Sequence, residues 1–467
     1  NESFETGVDV RYGITPNLSL DLSYNTDFAQ VEADQEQVNL TQFSLFFPEK
    51  REFFLEGASL FDFGEPAEVR GGDSRPPTIL FYSRRIGLES GQPVPILLGS
   101  KLAGKAGRTS IGALNALTDS ERLQDGTDLP KSNFSILRVK QDVLERSNVG
   151  FIFVNKQTEL NGAGWDRHNR AGGIDFSYSP SSELNVTGFV SRTWDSVIGD
   201  PDDARFIRAD YQGSRYVWRF SYMDIEENFE PSAGFVNRRR GLRGFRRYDG
   251  RFWIIPRLRK WNLRNFRFGP NFQIMTDREN EVQFARFRYD HVTAFQTGDR
   301  ILARMETVHD VVTRPFSPSS RRPDVSIDPG DYTFTTFRLG PDTANYRKWG
   351  VNVALEAGSY YTGNRFRFNG EVTYRPNGRF AIETVYDTNW IRLPEANLNI
   401  TTVSNRLLYS LSTDFFLKLF AQWNNDAQLV GTNFLLNYRF RPGSDIFFVY
   451  DHGFDTLGGL EQRNRSA

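Results

Sequence analysis

Apolar and polar residues alternate through most of this chain. In Leu18–Asn25, Leu18, Leu20, Leu22 and Tyr24 fall on one side and Ser19, Asp21, Ser23 and Asn25 on the other. A period of two is the signature of a strand with unlike faces. The same period recurs where Ile207, Ala209 and Tyr211 oppose Arg208, Asp210 and Gln212, and where Phe434, Leu436, Tyr438 and Phe440 oppose Asn437 and Arg439. It is strongest where Phe366, Phe368, Val372 and Tyr374 oppose Arg365, Arg367, Asn369, Glu371, Thr373 and Arg375. Arginine and glutamate at every second position, with aromatics between them, suit a barrel with a wet lumen better than a soluble sandwich. In Val282–Tyr289 the apolar phase slips, which predicts a bulge. The pattern predicts strands at 7–14, 18–25 and 78–85, then from 96–106 onward to 444–453. Tight connections such as Gln212-Gly213-Ser214 and Arg441-Pro442-Gly443-Ser444 alternate with long ones at 119–131, 226–240 and 314–328. The fold class this predicts is all-β: a large antiparallel transmembrane β-barrel of about 22–24 strands, formed as a single domain over residues 1–467.

Residues 27–77 break the rhythm. Within them Phe46-Phe47-Pro48-Glu49-Lys50-Arg51-Glu52-Phe53-Phe54-Leu55-Glu56-Gly57 reads as non-strand, with Pro48 placed to begin a helix and Gly57 to stop it. A barrel of this width is too broad for wall side chains to fill. The segment 27–77 is therefore expected inside it as a plug or belt.

Composition narrows the chemistry. The chain has no cysteine, which excludes disulfides and thiolate metal sites, and the net charge is −1, which gives no global pull toward nucleic acid. No apolar run reaches the length of a membrane-spanning helix. Aromatics are 14% of a chain whose mean hydropathy is −0.51, a combination that an alternating barrel reconciles. The chain ends Arg463-Asn464-Arg465-Ser466-Ala467, without an aromatic-ended strand. An open sheet edge in lipid is costly, so the expectation is a longer natural chain or a strand count off by one.

Several segments resemble the domain-of-unknown-function 5916 family. They are Asp27–Asp34, Phe46–Gly57 and Tyr82-Ser83-Arg84-Arg85-Ile86-Gly87, with weaker support from Gly99–Lys105 and Leu114–Thr118. The resemblance implies an outer-membrane barrel, usually preceded by a family-9 carbohydrate-binding-like domain that is absent here, and it brings no established activity. The expected localisation is the bacterial outer membrane.

Two constellations stand out as candidate sites. The first is a lumen plug or gate made of Phe46, Phe47, Glu49, Lys50, Arg51, Glu52, Phe53, Phe54 and Glu56, with Arg84 and Arg85 as charge partners. Its simpler reading is structural charge balance. The second is a cationic patch of Arg238, Arg239, Arg240, Arg243, Arg246, Arg247 and Arg251, suited to anionic solutes or lipopolysaccharide phosphates. The plainer reading there is a solvated wall balanced by acids elsewhere. The Gly199–Asp203 turn reads as an ordinary acidic turn rather than a Ca²⁺ loop, and Trp194, Trp218, Trp253, Trp261, Trp390 and Trp423 as interface girdles.

No metal or cofactor is called for. Gly-x-Ser-x-Gly and His-Glu-x-x-His are both absent, and adjacent His309 and Asp310 point to opposite faces of a strand. The functional expectation is a plugged channel or docking platform for a solute or glycan. The alternatives are a non-conducting binding scaffold and, behind it, a barrel hydrolase. Expected partners are outer-membrane lipid and lipopolysaccharide and a periplasmic domain or protein, not nucleic acid.

Overall fold

The computed structural model describes residues 7–26, 34–64, 78–89, 92–123, 126–159, 164–165, 167–258, 260–441, 444–455 and 461–463. Its frame is 22 long strands: β1 (Val8–Thr15), β2 (Leu18–Thr26), β3 (Ile96–Ala106), β4 (Thr109–Thr118), β5 (Ser132–Asp142), β6 (Asn148–Thr158), β7 (Arg167–Tyr178) and β8 (Leu184–Asp195). There follow β9 (Asp202–Gln212), β10 (Tyr216–Ile225), β11 (Phe245–Ile254), β12 (Leu263–Thr276), β13 (Val282–Phe295), β14 (Arg300–Val312) and β15 (Gly330–Asp342). The last are β16 (Trp349–Tyr360), β17 (Gly363–Asn377), β18 (Phe380–Arg392), β19 (Asn397–Ser410), β20 (Phe415–Asn424), β21 (Leu429–Arg441) and β22 (Ser444–Asp455).

Each strand pairs antiparallel with the next in the chain, from Val8↔Tyr24 at the start to Asn437↔Phe447 at the end. Register follows from the alternation, since a slip of one residue would turn every side chain to the wrong face. The predicted irregularity is present: Met275 pairs with Phe284 but Thr276 with Val282, so Gln283 bulges out. Beyond β22, Glu461–Arg463 pairs with Gly453–Asp455; among the described residues no ladder joins β1 to β22. The Pro442-Gly443 turn lies outside the described residues.

The faces are inverted relative to a soluble protein. On β2, Asp21 and Ser23 are buried while Leu22 and Tyr24 are exposed. On β15, Phe337 is 59% and Leu339 53% exposed, whereas Thr336 between its neighbours is buried. Apolar surface turned outward is what a bilayer requires. Exposed Trp194, Trp390 and Trp423 stand near the ends of their strands on one rim, and exposed Tyr216 and Trp349 on the other. The girdle expectation fits these. It does not fit Trp253, whose ring lies between the guanidinium groups of Arg251 and Arg267 at 4.4 and 4.3 Å.

One predicted strand is absent. Residues 78–85 form a two-residue strand, Thr78–Ile79, and a 3₁₀ turn, Ser83–Arg85. Thr78–Ile79 pairs with Phe235–Val236 of a loop, not with the barrel wall. The apolar run Ile79–Tyr82 suits a strand, but tertiary pairing, not local pattern, selects barrel strands. Among the described residues, none between β2 and Ile96 joins the barrel wall, and the short strands there, Leu88–Glu89 and Gln92–Pro93, pair with each other. Residues 27–33, 65–77 and 90–91 lie outside the described residues. The helix expected from Pro48 is a single turn, Glu52–Leu55, and Gly57 follows in the left-handed region at φ 69°.

Candidate functional site

Residues 34–64 and 78–89 lie against inward-facing positions of strands round the sheet. The Lys101 ammonium of β3 donates to the Phe53 carbonyl at 2.6 Å. Arg138 of β5 donates to the Asp62 carbonyl at 3.0 Å, and Asp175 of β7 accepts from the Gly64 amide at 3.0 Å. Phe63 meets Phe189 of β8, with centroids 5.2 Å apart. Phe43 packs edge-on to Phe284 of β13 at 5.1 Å, and the Tyr360 hydroxyl of β16 donates to the Leu40 carbonyl at 3.1 Å. Gln422 of β20 accepts from the Glu36 amide and donates to the Asp34 carbonyl, both at 2.9 Å. A segment of this length touches strands from β3 to β20 only because the sheet curls around it.

Apolar packing holds the middle of the insert. Phe54, Phe61, Phe63, Leu80 and Ile86 share one buried cluster with Ile136, Ile152, Phe189, Met223 and Phe245 of the wall. Burying five such side chains contributes on the order of 10 kcal/mol as an upper figure. The wall makes room with glycine: a Cβ on Gly112 would stand 3.0 Å from the Phe61 ring, and one on Gly173 would stand 2.6 Å from Phe63.

Charge ties the Phe46–Gly57 block to the turn at 83–86. Glu49 accepts from Arg51 Nε at 2.9 Å and Nη2 at 2.7 Å, from the Arg51 and Lys50 amides, and from Ser83 Oγ at 2.6 Å. Arg51 also donates to the carbonyls of Ile86 at 2.5 Å and Ser83 at 2.8 Å, and its guanidinium covers the Phe54 ring at 4.3 Å. Burial pushes the Glu49 carboxyl up, but the hydrogen bonds and charge of Arg51, with Ser83, outweigh it and hold the group at about 2. Arg84 pairs with Asp34, and Lys50 lies 3.6 Å from the same carboxylate. Arg85 donates to the Gly234 carbonyl at 3.2 Å. Phe46 packs on Tyr82 and Phe235, and the Tyr82 hydroxyl donates to the Phe47 carbonyl. Glu52 and Glu56 are exposed, Glu56 against Arg11 of β1.

The seven arginines expected as one patch are not brought together. Arg238 pairs with Glu230, Arg246 bonds Asn280 and the Arg278 carbonyl, and Arg240 and Arg243 are exposed. Chain proximity does not gather them because 238–243 lie in a loop while Arg246 and its neighbours alternate across a strand. Arg239 is buried in a hub at Asp310 of β14, whose Oδ1 lies 2.8 Å from its Nη2. Asp310 Oδ2 accepts from Gln42 Nε2 at 2.9 Å and from the Tyr361 hydroxyl at 2.6 Å. Insert, loop 226–244, wall and the β16–β17 turn meet at one carboxylate. Local sequence reasoning missed this hub, since its four members are scattered over 320 positions of chain.

Arg247 and Arg251 instead line a cavity of about 460 Å³, together with inward arginines of β13, β14, β15 and β17. Leu40–Phe43 of the insert line it too. The alternation at Arg365 and Arg367 signalled part of this wall; nothing in the sequence joined it to β11. Among the described residues no group of three or more His, Asp or Glu is placed to hold a metal ion.

Residues 1–191 match the model of a domain of unknown function, DUF5916, and the resemblance seen in the sequence holds over that stretch. No curated protein matches. Among solved structures, the chain is similar to a "Copper transporter OprC" at 12% identity, with 78% of this chain and 72% of that one covered and a TM-score of 0.47. It is also similar to the siderophore receptor PirA from Pseudomonas aeruginosa at 9% identity, with 79% and 78% covered and a TM-score of 0.47. The fold assignment rests on the strand ladder and the inverted faces, not on these likenesses.

Proposed function

We propose that this chain is an outer-membrane β-barrel that takes a solute into its lumen, and that the insert is its plug. The observation that carries the reading is the ring of contacts from Phe53 on β3 to Asp34 and Glu36 on β20. An empty barrel of 22 strands would leak; this one holds a packed segment across its interior. The outward apolar face and aromatic rims fit a lipid and lipopolysaccharide surround. Two of the three long loops fold inward: 226–244 joins the insert through Phe235–Val236 and Arg239, and in 313–329 Phe316, Val325 and Ile327 are buried. Loops spent on internal packing favour a plugged lumen over a scaffold that displays them to a partner.

Planar-bilayer conductance tests the reading. The intact protein is expected to conduct weakly, and a version lacking 41–60 at least about tenfold more, as a barrel of this width unplugged requires. A wide-open intact protein would overturn the plug. Silence from both versions would overturn solute passage.

A further inference from the structure

We infer that the arginine-lined cavity is a binding site for a small organic anion, one with phosphoryl or carboxylate groups on an apolar or aromatic body. The inference rests on the reading of the chain as a solute-handling barrel and names the chemistry of the solute.

Size comes first. A cavity of about 460 Å³ is in the range of small-molecule sites. Charge comes next. Nine arginines line it against four carboxylates, Asp249, Glu306, Asp310 and Glu356. Carboxylates beside the wall take up part of the excess: Asp210 pairs with Arg219, Asp290 with Arg304 and Asp387 with Arg367. Asp310, in turn, is shared with Arg239 from outside the lining. Arginines still outnumber acids when all of these are counted.

The cross-strand pairing is the sharper observation. Within this lining the wall sets acids opposite arginines at Arg288↔Glu306 and Arg338↔Glu356. At two places it also sets arginine opposite arginine. Arg304 faces Arg338 across β14 and β15, and Arg219 faces Arg251 across β10 and β11. Like charges directly opposite are destabilising. On their other edges Arg304 faces Asp290, Arg338 faces Glu356 and Arg219 faces Asp210, while Arg251 faces Asn271, so acids offset part of this repulsion and a bound anion offsets more of it. Guanidinium groups suit the task because their planar forks bond carboxylate and phosphate two at a time. Aromatic rings line it as well, Phe43, Phe284, Phe334 and Tyr360, among amides and hydroxyls such as Asn271, Gln273 and Thr336. A ligand that satisfies both sides is an anion with an apolar or planar body.

The test is calorimetric titration of the detergent-solubilised full chain with phenyl phosphate, inorganic phosphate and benzyl alcohol. Phenyl phosphate is expected to bind saturably at one site, inorganic phosphate more weakly and benzyl alcohol not at all. Raising salt from about 0.05 to about 0.5 M is expected to weaken binding. The double variant Arg304→Gln/Arg338→Gln is expected to bind about tenfold more weakly, with a lowered melting temperature because Arg304 also holds Asp290. Arg251→Gln dissolves the other facing pair without removing the Arg304–Asp290 or Arg219–Asp210 ion pair, and it is expected to weaken binding with the melting temperature little changed. No saturable binding by the intact chain, equal binding of the neutral compound, or unchanged affinity in both variants would overturn the site. The titration needs no bilayer. Binding without conductance therefore overturns passage and leaves the site standing, and conductance without binding does the opposite.

Discussion

At the residue scale, the Phe46–Gly57 block is held by one carboxylate. Glu49 sits at about 2, below its ordinary value of 4.5. A lowered folded-state value means that its contribution is fully present above about 4.5 and is lost as pH falls toward about 2. Glu49→Gln is expected to loosen the insert at neutral pH by on the order of 2 kcal/mol. Trypsin cleavage at Lys50 and Arg51 measures this at neutral pH, with faster cutting in the variant; pepsin, active in acid, is expected to show loosening of the native insert as pH falls below about 4.5 and no such step in the variant. Asp310→Asn removes the charge partner of buried Arg239, and breaking a buried pair from one side costs about 3 kcal/mol or more. The expected outcome is a lower melting temperature and new cleavage at Arg239 and Arg240.

At the element scale, shape decides. Phe61 fits because Gly112 has no side chain, with only 3.0 Å to spare for a Cβ. Gly112→Leu is expected to push Phe61 out of the shared core and raise conductance while the strand ladder persists, because the glycine stands on the inner face of β4. Unchanged conductance together with an unchanged melting temperature would show that the contact is not needed to seat the insert. Much at this scale was legible beforehand. Strands from 96–106 onward stand where the period of two places them, and the bulge sits at Gln283. Residues 78–85 differ: the apolar run Ile79–Tyr82 suits a strand locally but has no wall partner. The arginines of 238–251 part company for a related reason: charge counted along the chain says nothing about which acids cross-strand pairing brings up.

At the scale of the whole molecule, two faces meet two solvents. Phe337 points outward from the middle of β15, and Thr336 beside it points inward. Phe337→Arg is expected to cost about 2–4 kcal/mol in lipid and Thr336→Arg much less. Folding into lipid vesicles, read as heat-dependent migration on a gel, separates the two; equal yields would contradict the inverted arrangement.

The barrel is written in the chain's alternation, which is local, since every strand carries its own two faces. The segment that is not wall is legible too, because Phe46–Gly57 has no period of two. Where that segment's charges go is settled by folding alone: Glu49 to Arg51 and Ser83, Arg84 to Asp34, Gln42 and Arg239 to Asp310. The same holds for the arginines of β11 to β17, which become neighbours only through register. Closing a sheet around an insert brings together residues hundreds of positions apart, and no period along the chain encodes which of them will meet.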